Sequence, residues 1–366
     1  MLNVISSPQG GGAELLVAEL TKRLPKYGVD SYAIYFDAPS GFALTEREFS
    51  LGVSARNARS VLLLRAKIKQ FCTDDAYVVV HAHLTWPFYY AALACVGLPV
   101  MLVYTEHSTT NKRRDIPCFK YLERFVYSRY DRVVCISNGV KASLSKWLSA
   151  GGMRSVQTIN NGGRTFALCH RPNVAGPIKL VSVGSLNFRK GFDVAIKAVA
   201  LLPRGTVREY IIIGEGPERP RLTDLINRLG LADIVRVLGW RDELEEYFHN
   251  ADIQLIPSVW EGFGLVAVEG MSTGLPVIAS DVDGLIEVLS PESNFAALLV
   301  SDHRVPERWA EKIASVTGKL KVDRLKLSRA SSTQAKKFTL DKMVERYAEL
   351  YRSLYLRPTP PILMDS

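Results

Sequence analysis

Short apolar runs rich in β-branched residues alternate with stretches of helical period along almost the whole chain. In the first half the runs are 3–6, 31–36, 77–82, 99–105, 133–136 and 156–159; in the second they are 179–183, 209–213, 235–238, 253–256, 276–279 and 297–300. Each reads as a buried strand. The intervening segments carry apolar residues on one helical face, as Glu14 to Leu24 and Phe192 to Leu202 do. Strands joined by helical crossovers are parallel, and the crossovers right-handed, so the pattern predicts an α/β protein of two doubly wound parallel sheets, each covered by helices on both faces.

Periodicity breaks at 161–177, where Gly162, Gly163, Pro172, Gly176 and Pro177 cluster. The expected domains are 1–170 and 171–339. After the last strand, helices are expected near 305–317, 322–337 and 340–355. The last, 340–356, is expected to return to the first domain, and 357–366 to form a frayed tail. Two such sheets facing across a cleft place ligands at the carboxyl ends of their strands, so function is sought in strand-to-helix loops.

Composition narrows the class. With 366 residues, 47% of them hydrophobic, each half is large enough to bury its own core without disulfides or metal. The five cysteines form no CxxC pair and mostly lie in apolar runs, so they read as buried thiols in a reducing compartment. No stretch approaches the ~18 apolar residues of a membrane span, and Met1 to Ser7 does not resemble a secretory leader. The expectation is a soluble or peripheral protein. The net charge of +9 is unevenly distributed: residues 1–170 hold 20 Lys and Arg against 12 Asp and Glu, and the remainder 26 against 25. An anionic partner is therefore expected for the first half only.

Three loops carry candidate chemistry. Gly10-Gly11-Gly12 joins the first strand to a helix, where backbone N–H groups and the helix dipole favour an anion; the third glycine of a dinucleotide fingerprint is missing, its place taken by Leu15. Arg189-Lys190-Gly191 follows the first strand of the second half and supplies two cations for a diphosphate. Glu261-Gly262-Phe263-Gly264-Leu265-Val266-Ala267-Val268-Glu269 places two carboxylates eight residues apart across a strand-to-helix junction. A helix beginning near Phe263 offers the N–H groups of 263–266 to a phosphate, while Glu261 and Glu269 suit neutral hydroxyls.

Taken together, the Gly-Gly-Ala-Glu loop, the Arg-Lys-Gly loop, Gly214-Glu215-Gly216-Pro217 and the paired glutamates resemble the retaining sugar-nucleotide glycosyltransferases of family 4, with the GT-B fold, over about residues 2–355. The resemblance implies a donor, a UDP- or GDP-sugar, in the second domain. Arg189 and Lys190 are then expected at the diphosphate, Glu261, Gly262 and the Phe263, Gly264, Leu265 and Val266 backbone at sugar and phosphates, and Glu269 at the ribose. Gly214 and Trp240 are expected near the base, and Gly11 and Gly12 on the donor side of the first domain. His107 matches the family histidine that reaches the sugar, which makes His107, Lys190 and Glu261 the catalytic set. Ser185 stands where many members carry Arg. His81 and His83 are not expected to share one side of their strand end, and read as structural or cleft-lining. No metal or cofactor is expected, since Asp281-Val282-Asp283 follows a different strand.

Residues 112–146 hold nine cations, among them Lys112, Arg113, Arg114, Lys120 and Arg124, interleaved with aromatics. That run suits an anionic membrane surface and a lipid-linked glycan acceptor on the inner face of the plasma membrane, as in bacterial surface-polysaccharide assembly. Nucleic acid is not expected, because no recognition motif accompanies the charge. A nicotinamide-dependent oxidoreductase with Asp37 on the ribose, or a catalytically silent sugar-nucleotide-binding membrane scaffold, are the remaining readings.

Overall fold

Parallel pairing organises both halves of the chain. In the computed structural model, which describes residues 1–73, 77–109, 111–116, 118–148, 155–289 and 298–355, two compact units separate at Asn160/Asn161. One unit combines Met1–Asn160 with Asp341 onward; the other is Asn161–Leu340.

In the first unit β1 (Leu2–Ile5), β2 (Tyr32–Tyr35), β3 (Glu48–Ser50), β4 (Val78–His83), β5 (Val100–Glu106), β6 (Arg132–Cys135) and β7 (Val156–Thr158) form a parallel sheet in the order β3-β2-β1-β4-β5-β6-β7. Its helices are α1 (Gly12–Arg23), α2 (Arg59–Lys69), α3 (Thr85–Ala94), α4 (Phe119–Ser128) and α5 (Asn138–Leu148), joined by α12 (Leu340–Tyr355).

Alternation along β5 assigns the two faces. Tyr104 points to α3 and α4, where its ring lies 4.5 Å from Phe88 and 5.7 Å from Tyr127. Thr105 points the other way, and its hydroxyl meets the Tyr347 hydroxyl of α12 at 3.2 Å. These rings are fully buried, and each contributes on the order of 1.5–3 kcal/mol.

The second unit orders its strands β10-β9-β8-β11-β12-β13, all parallel: β8 (Ile178–Val183), β9 (Val207–Ile213), β10 (Val235–Leu238), β11 (Ile253–Ile256), β12 (Val277–Ser280) and β13 (Leu299–Val300). Its helices are α6 (Phe192–Leu201), α7 (Arg219–Arg228), α8 (Glu245–Asn250), α9 (Leu265–Ser272), α10 (Asp283–Leu289) and α11 (Pro306–Ala335). Trp309 and Ile313 of α11 join the core formed by Ile196 and Val199 of α6 and by Ile253 and Ile278 of the sheet.

Several expectations are corrected. The two helices expected at 305–317 and 322–337 are one helix, α11, kinked at Asp323 (φ −150°, ψ 75°). A three-residue edge strand, β3, was absent from the apolar pattern because Glu48-Phe49-Ser50 is too short to show a period. Cys95 and Cys135 are buried, but Cys72 and Cys169 are half-buried and Cys118 is exposed. The tail at 357–366 lies outside the described residues. Among the described residues no helix is long and apolar enough to cross a membrane.

One glycine is compelled by packing. Gly191, which precedes α6, has φ +63°, and a Cβ there would stand 2.0 Å from the Pro257 carbonyl oxygen. Gly205 has φ +80° with nothing within 4 Å. Left-handed strain alone costs about 1–2 kcal/mol, so Gly205→Ala is expected to lower stability by about that much. Gly191→Ala is expected to cost clearly more, because the Pro257 backbone must also move; urea midpoints of the two variants make the comparison.

Candidate functional site

The second sheet reverses its strand order at β8. The chain leaves β8 for β9 and β10 on one side, then returns for β11 on the other, so the loops after β8 and β11 emerge side by side at the carboxyl edge. Gly191 lets the first loop lie against Pro257 in the second. The Val259 N–H donates to the Arg189 carbonyl at 2.7 Å and fastens them together.

This contact brings two of the three expected catalytic side chains together. The Lys190 ammonium donates to Glu261 Oε2 at 2.6 Å, and the Ser258 hydroxyl donates to the same oxygen at 3.3 Å. Both charged side chains are largely enclosed, 13% and 14% exposed, so their attraction is little screened. Burial pushes the Glu261 carboxyl up, but the Lys190 ammonium, with Arg189 and the Ser258 hydroxyl, outweighs it and holds the group below the usual carboxylate value. Arg189 is half-buried, and its Nε is a buried atom with no protein partner.

The helix after this loop begins at Leu265, two residues later than expected, because Gly264 takes a left-handed conformation (φ 90°) as its N-cap. A Cβ at Gly264 would meet Leu285 Cδ2 at 2.6 Å. With no side chain capping it, the first turn of α9 leaves the Leu265 and Val266 N–H groups without helical acceptors. Phe263, expected to begin the helix, is instead a buried anchor 5.4 Å from the Phe338 ring.

Glu269 lies on α9, 5% exposed, and accepts from Arg164 Nε at 2.8 Å. Burial dominates and raises its carboxyl above the ordinary value, although Arg164 opposes the rise. Arg164 has no motif around it, and only the fold reveals it as the partner of Glu269.

Gly214 and Gly216 serve the backbone. A Cβ at Gly214 would stand 2.0 Å from the Gly184 carbonyl oxygen, and one at Gly216 2.3 Å from that of Leu186, so both allow the β9 loop to rest on the β8 loop. Trp240 is 64% exposed and donates to Asp242 at 2.9 Å. Ser185 is exposed and accepts from the Asn187 amide at 2.8 Å.

In the first unit, the Gly11 N–H does not face an open anion site. It donates to Glu14 Oε2 at 2.8 Å, so the chain caps this helix with its own carboxylate, and the expectation for that N–H is corrected. Gly12 is the first residue of α1.

His107 follows β5. Contrary to expectation, His81 and His83 share one face of β4, as residues two apart on a strand do, with rings 4.1 Å apart. His81 meets the Tyr351 hydroxyl and the Thr105 hydroxyl, each at 2.7 Å, and His83 Nδ1 meets His107 Nε2 at 3.3 Å. Burial pushes His107 down to about 3, and holds His81 and His83 well below the ordinary histidine value. No group of three or more His, Cys, Asp or Glu among the described residues is disposed to hold a metal ion.

The basic run divides. Arg113 pairs with Glu123 at 3.1 Å and Arg114 with Glu106 at 2.9 Å, with guanidinium side chains 15% and 10% exposed. These two are corrected from surface cations to internal ones, because buried carboxylates at 106 and 123 require them. Lys120 is half-buried, and Arg124 is exposed. Beside Arg124, α4 exposes Tyr121 (77%), Leu122 (48%) and Phe125 (65%). Lys112 opens the short 3₁₀ turn Lys112–Asp115.

Two domains of parallel sheet, the second with charged loops at its strand-order reversal, define a doubly wound class of α/β proteins that bind ligands at such reversals. Family comparison makes the class specific: residues 10–162 match the model described as Glycosyltransferase Family 4, and residues 171–336 that of Glycosyl transferases group 1. The chain belongs to these glycosyltransferases of GT-B fold.

It is 29% identical over 78% of its length to the D-inositol 3-phosphate glycosyltransferase of Saccharomonospora viridis, covering 72% of that protein. It is 34% identical to the amylovoran biosynthesis glycosyltransferase AmsK of Erwinia amylovora, over 41% of this chain and 38% of that protein. Matches to several other curated relatives span 30% to 57% of their lengths. Among solved structures, Anabaena HepE in complex with UDP-glucose superposes with a TM-score of 0.78 at 22% identity, over 96% of this chain and 99% of that one.

Removing Lys190 strands an enclosed carboxylate. Lys190→Met is expected to lower stability at neutral pH by about 3 kcal/mol, and Lys190→Met/Glu261→Leu to restore most of it. In the native chain the depressed Glu261 carboxyl contributes stability that is full above the unfolded value of about 4.3 and lost as pH falls through the lower folded value. The penalty of Lys190→Met should therefore shrink on acidification; urea midpoints that fall equally at pH 7 and pH 4 would contradict the assignment.

Proposed function

We propose that the chain transfers a sugar, with retention of configuration and without a metal ion, from a UDP- or GDP-sugar to a lipid-linked glycan in polysaccharide or glycolipid biosynthesis. The observation that carries this reading is the Lys190–Glu261 pair, enclosed beside the uncapped N-terminus of α9. Cations and free N–H groups converge where a departing diphosphate gathers charge, and a carboxylate stands where a sugar hydroxyl needs an acceptor. The UDP-glucose bound by HepE and the amylovoran biosynthesis in AmsK's name agree with a sugar-nucleotide donor and a biosynthetic glycosyl transfer.

In the reaction the bond from sugar C1 to the diphosphate oxygen breaks as the acceptor oxygen bonds C1 on the same face. The acceptor's proton passes to the departing phosphate. Lys190, Arg189 and the Leu265 and Val266 N–H groups stabilise the leaving group, Glu261 orients sugar hydroxyls, Glu269 bonds the ribose, and His107 meets the sugar. Trp240 lies toward the base. Arg164 then shares Glu269 with the ribose, a role no motif announced.

The acceptor side is read from α4. Exposed Tyr121, Leu122 and Phe125 beside Arg124 and Arg129 suit the headgroup boundary of an anionic bilayer and support the reading of a peripheral protein on the inner face of the plasma membrane.

Incubation of the protein with a sugar-nucleotide panel and a membrane lipid extract, with mass spectrometry and anomeric NMR of the product, tests the reaction. One donor should be consumed and its anomeric configuration kept. Lys190→Ala should lower kcat about 100-fold or more, while Glu261→Gln retains turnover above that level; an inverted product or no donor consumed rejects the reading. Tyr121→Ser/Phe125→Ser should release the protein from anionic vesicles in cosedimentation, and unchanged binding removes α4 from the acceptor side.

A further inference from the structure

We propose that Asn3 and His83 form a positioning relay that fixes the tautomer of His107, keeping its proton on Nε2 and leaving Nδ1 as a hydrogen-bond acceptor.

The relay is read from atoms whose roles are not interchangeable. The Asn3 amide nitrogen lies 3.4 Å from the Tyr32 carbonyl oxygen, which only accepts. It also lies 3.4 Å from the Thr21 hydroxyl, whose proton is donated to the Val17 carbonyl at 2.8 Å. Those two contacts settle which end of the amide is nitrogen. The amide oxygen, an acceptor only, therefore faces His83 Nε2 at 3.3 Å. His83 must carry its proton on Nε2 to meet it.

A neutral ring with one nitrogen protonated offers a lone pair at the other, so His83 Nδ1 is an acceptor. His107 Nε2, at 3.3 Å, must be the donor. Burial disfavours a second proton on either ring, which keeps the chain of roles unambiguous at neutral pH.

His107 is half-buried and no described residue bonds its Nδ1, so the relay ends at a nitrogen left to a ligand. An unprotonated Nδ1 accepts from a hydroxyl and repels a phosphate or carbonyl oxygen. The relay thus makes His107 selective for a donor group such as a sugar hydroxyl. That consequence rests on the glycosyltransferase reading; the tautomer itself does not.

Each member is placed by the sheet. Asn3 pairs in register with His81 across β1 and β4, which sets His83 one strand step toward the carboxyl edge. Thr105 is the partner of His83 across β4 and β5, and His107 lies two residues beyond it on the same face.

The test uses the ¹⁵N-labelled full chain without substrate. Long-range ¹H–¹⁵N correlation of histidine rings, with His107 assigned by its loss in His107→Gln, reads the tautomer directly. Wild type should show His107 protonated at Nε2. His83→Phe, which removes the acceptor, should abolish that preference, and His83→Asn, whose Oδ1 replaces Nδ1, should restore it. Asn3→Asp draws a proton onto His83, turns its Nδ1 into a donor and should reverse His107 to the Nδ1–H form; it carries the test if His83→Phe does not fold.

Transfer activity should fall about tenfold in His83→Phe and recover in His83→Asn. A wild-type His107 protonated at Nδ1, or ring signals unchanged in folded His83→Phe and Asn3→Asp, overturns the relay. A tautomer that responds while turnover does not leaves the relay standing and rejects His107 as the sugar-facing group.

Discussion

Everything functional in this chain hangs on a property of open parallel sheets: where the strand order reverses, two loops leave neighbouring strands with no crossover helix between them. In the second sheet the reversal lies between β8 and β11, and in the first between β1 and β4. At the former, the loop at 184–191 meets the loop from Pro257 onward, and Gly191 admits the Pro257 carbonyl where any side chain would collide. Lys190 reaches Glu261 because of that approach. At the latter, Asn3 pairs with His81 in register and bonds His83, which in turn meets His107.

The two units manage charge differently. In the second, a few groups are concentrated: Lys190 and Glu261 neutralise each other in an enclosed place, and Arg164 offsets Glu269. In the first, the surplus of cations had suggested one continuous basic surface. Glu106 and Glu123 draw Arg114 and Arg113 inward, where Tyr127, Tyr89 and Trp147 also bond the same carboxylates. A carboxylate deprived of water needs several donors at once, and those arginines supply them. The surface property that remains is narrower, an aromatic face on α4 edged by Arg124 and Arg129.

The fold was more legible than the site. Strands β4, β11 and β12 announce themselves as apolar runs because both of their faces are covered, and a buried parallel strand has little polar alternation to obscure it. β3 escaped because an edge strand of three half-buried residues has too little pattern to read. Motif spacing pointed to the loops holding Lys190, Glu261 and Glu269, and the fold brings Lys190 to Glu261. It did not point to Ser258, whose hydroxyl turns onto Glu261 only in the folded loop, or to Arg164, whose partner Glu269 is distant in sequence. The start of α9 was misplaced because Gly264 turns left-handed against Leu285, a contact that local pattern does not contain.

The sequence by itself determined the order and type of most elements, and from them a pair of doubly wound sheets, because burial and helical period are local properties that each segment writes in its own residues. Tertiary structure alone decided which charges are surface and which interior, which carboxylate each arginine answers, and which ring nitrogen of His107 carries its proton. Those outcomes depend on distances in space between side chains that are not sequence neighbours, and on how much water the fold leaves around them, quantities that local pattern does not contain.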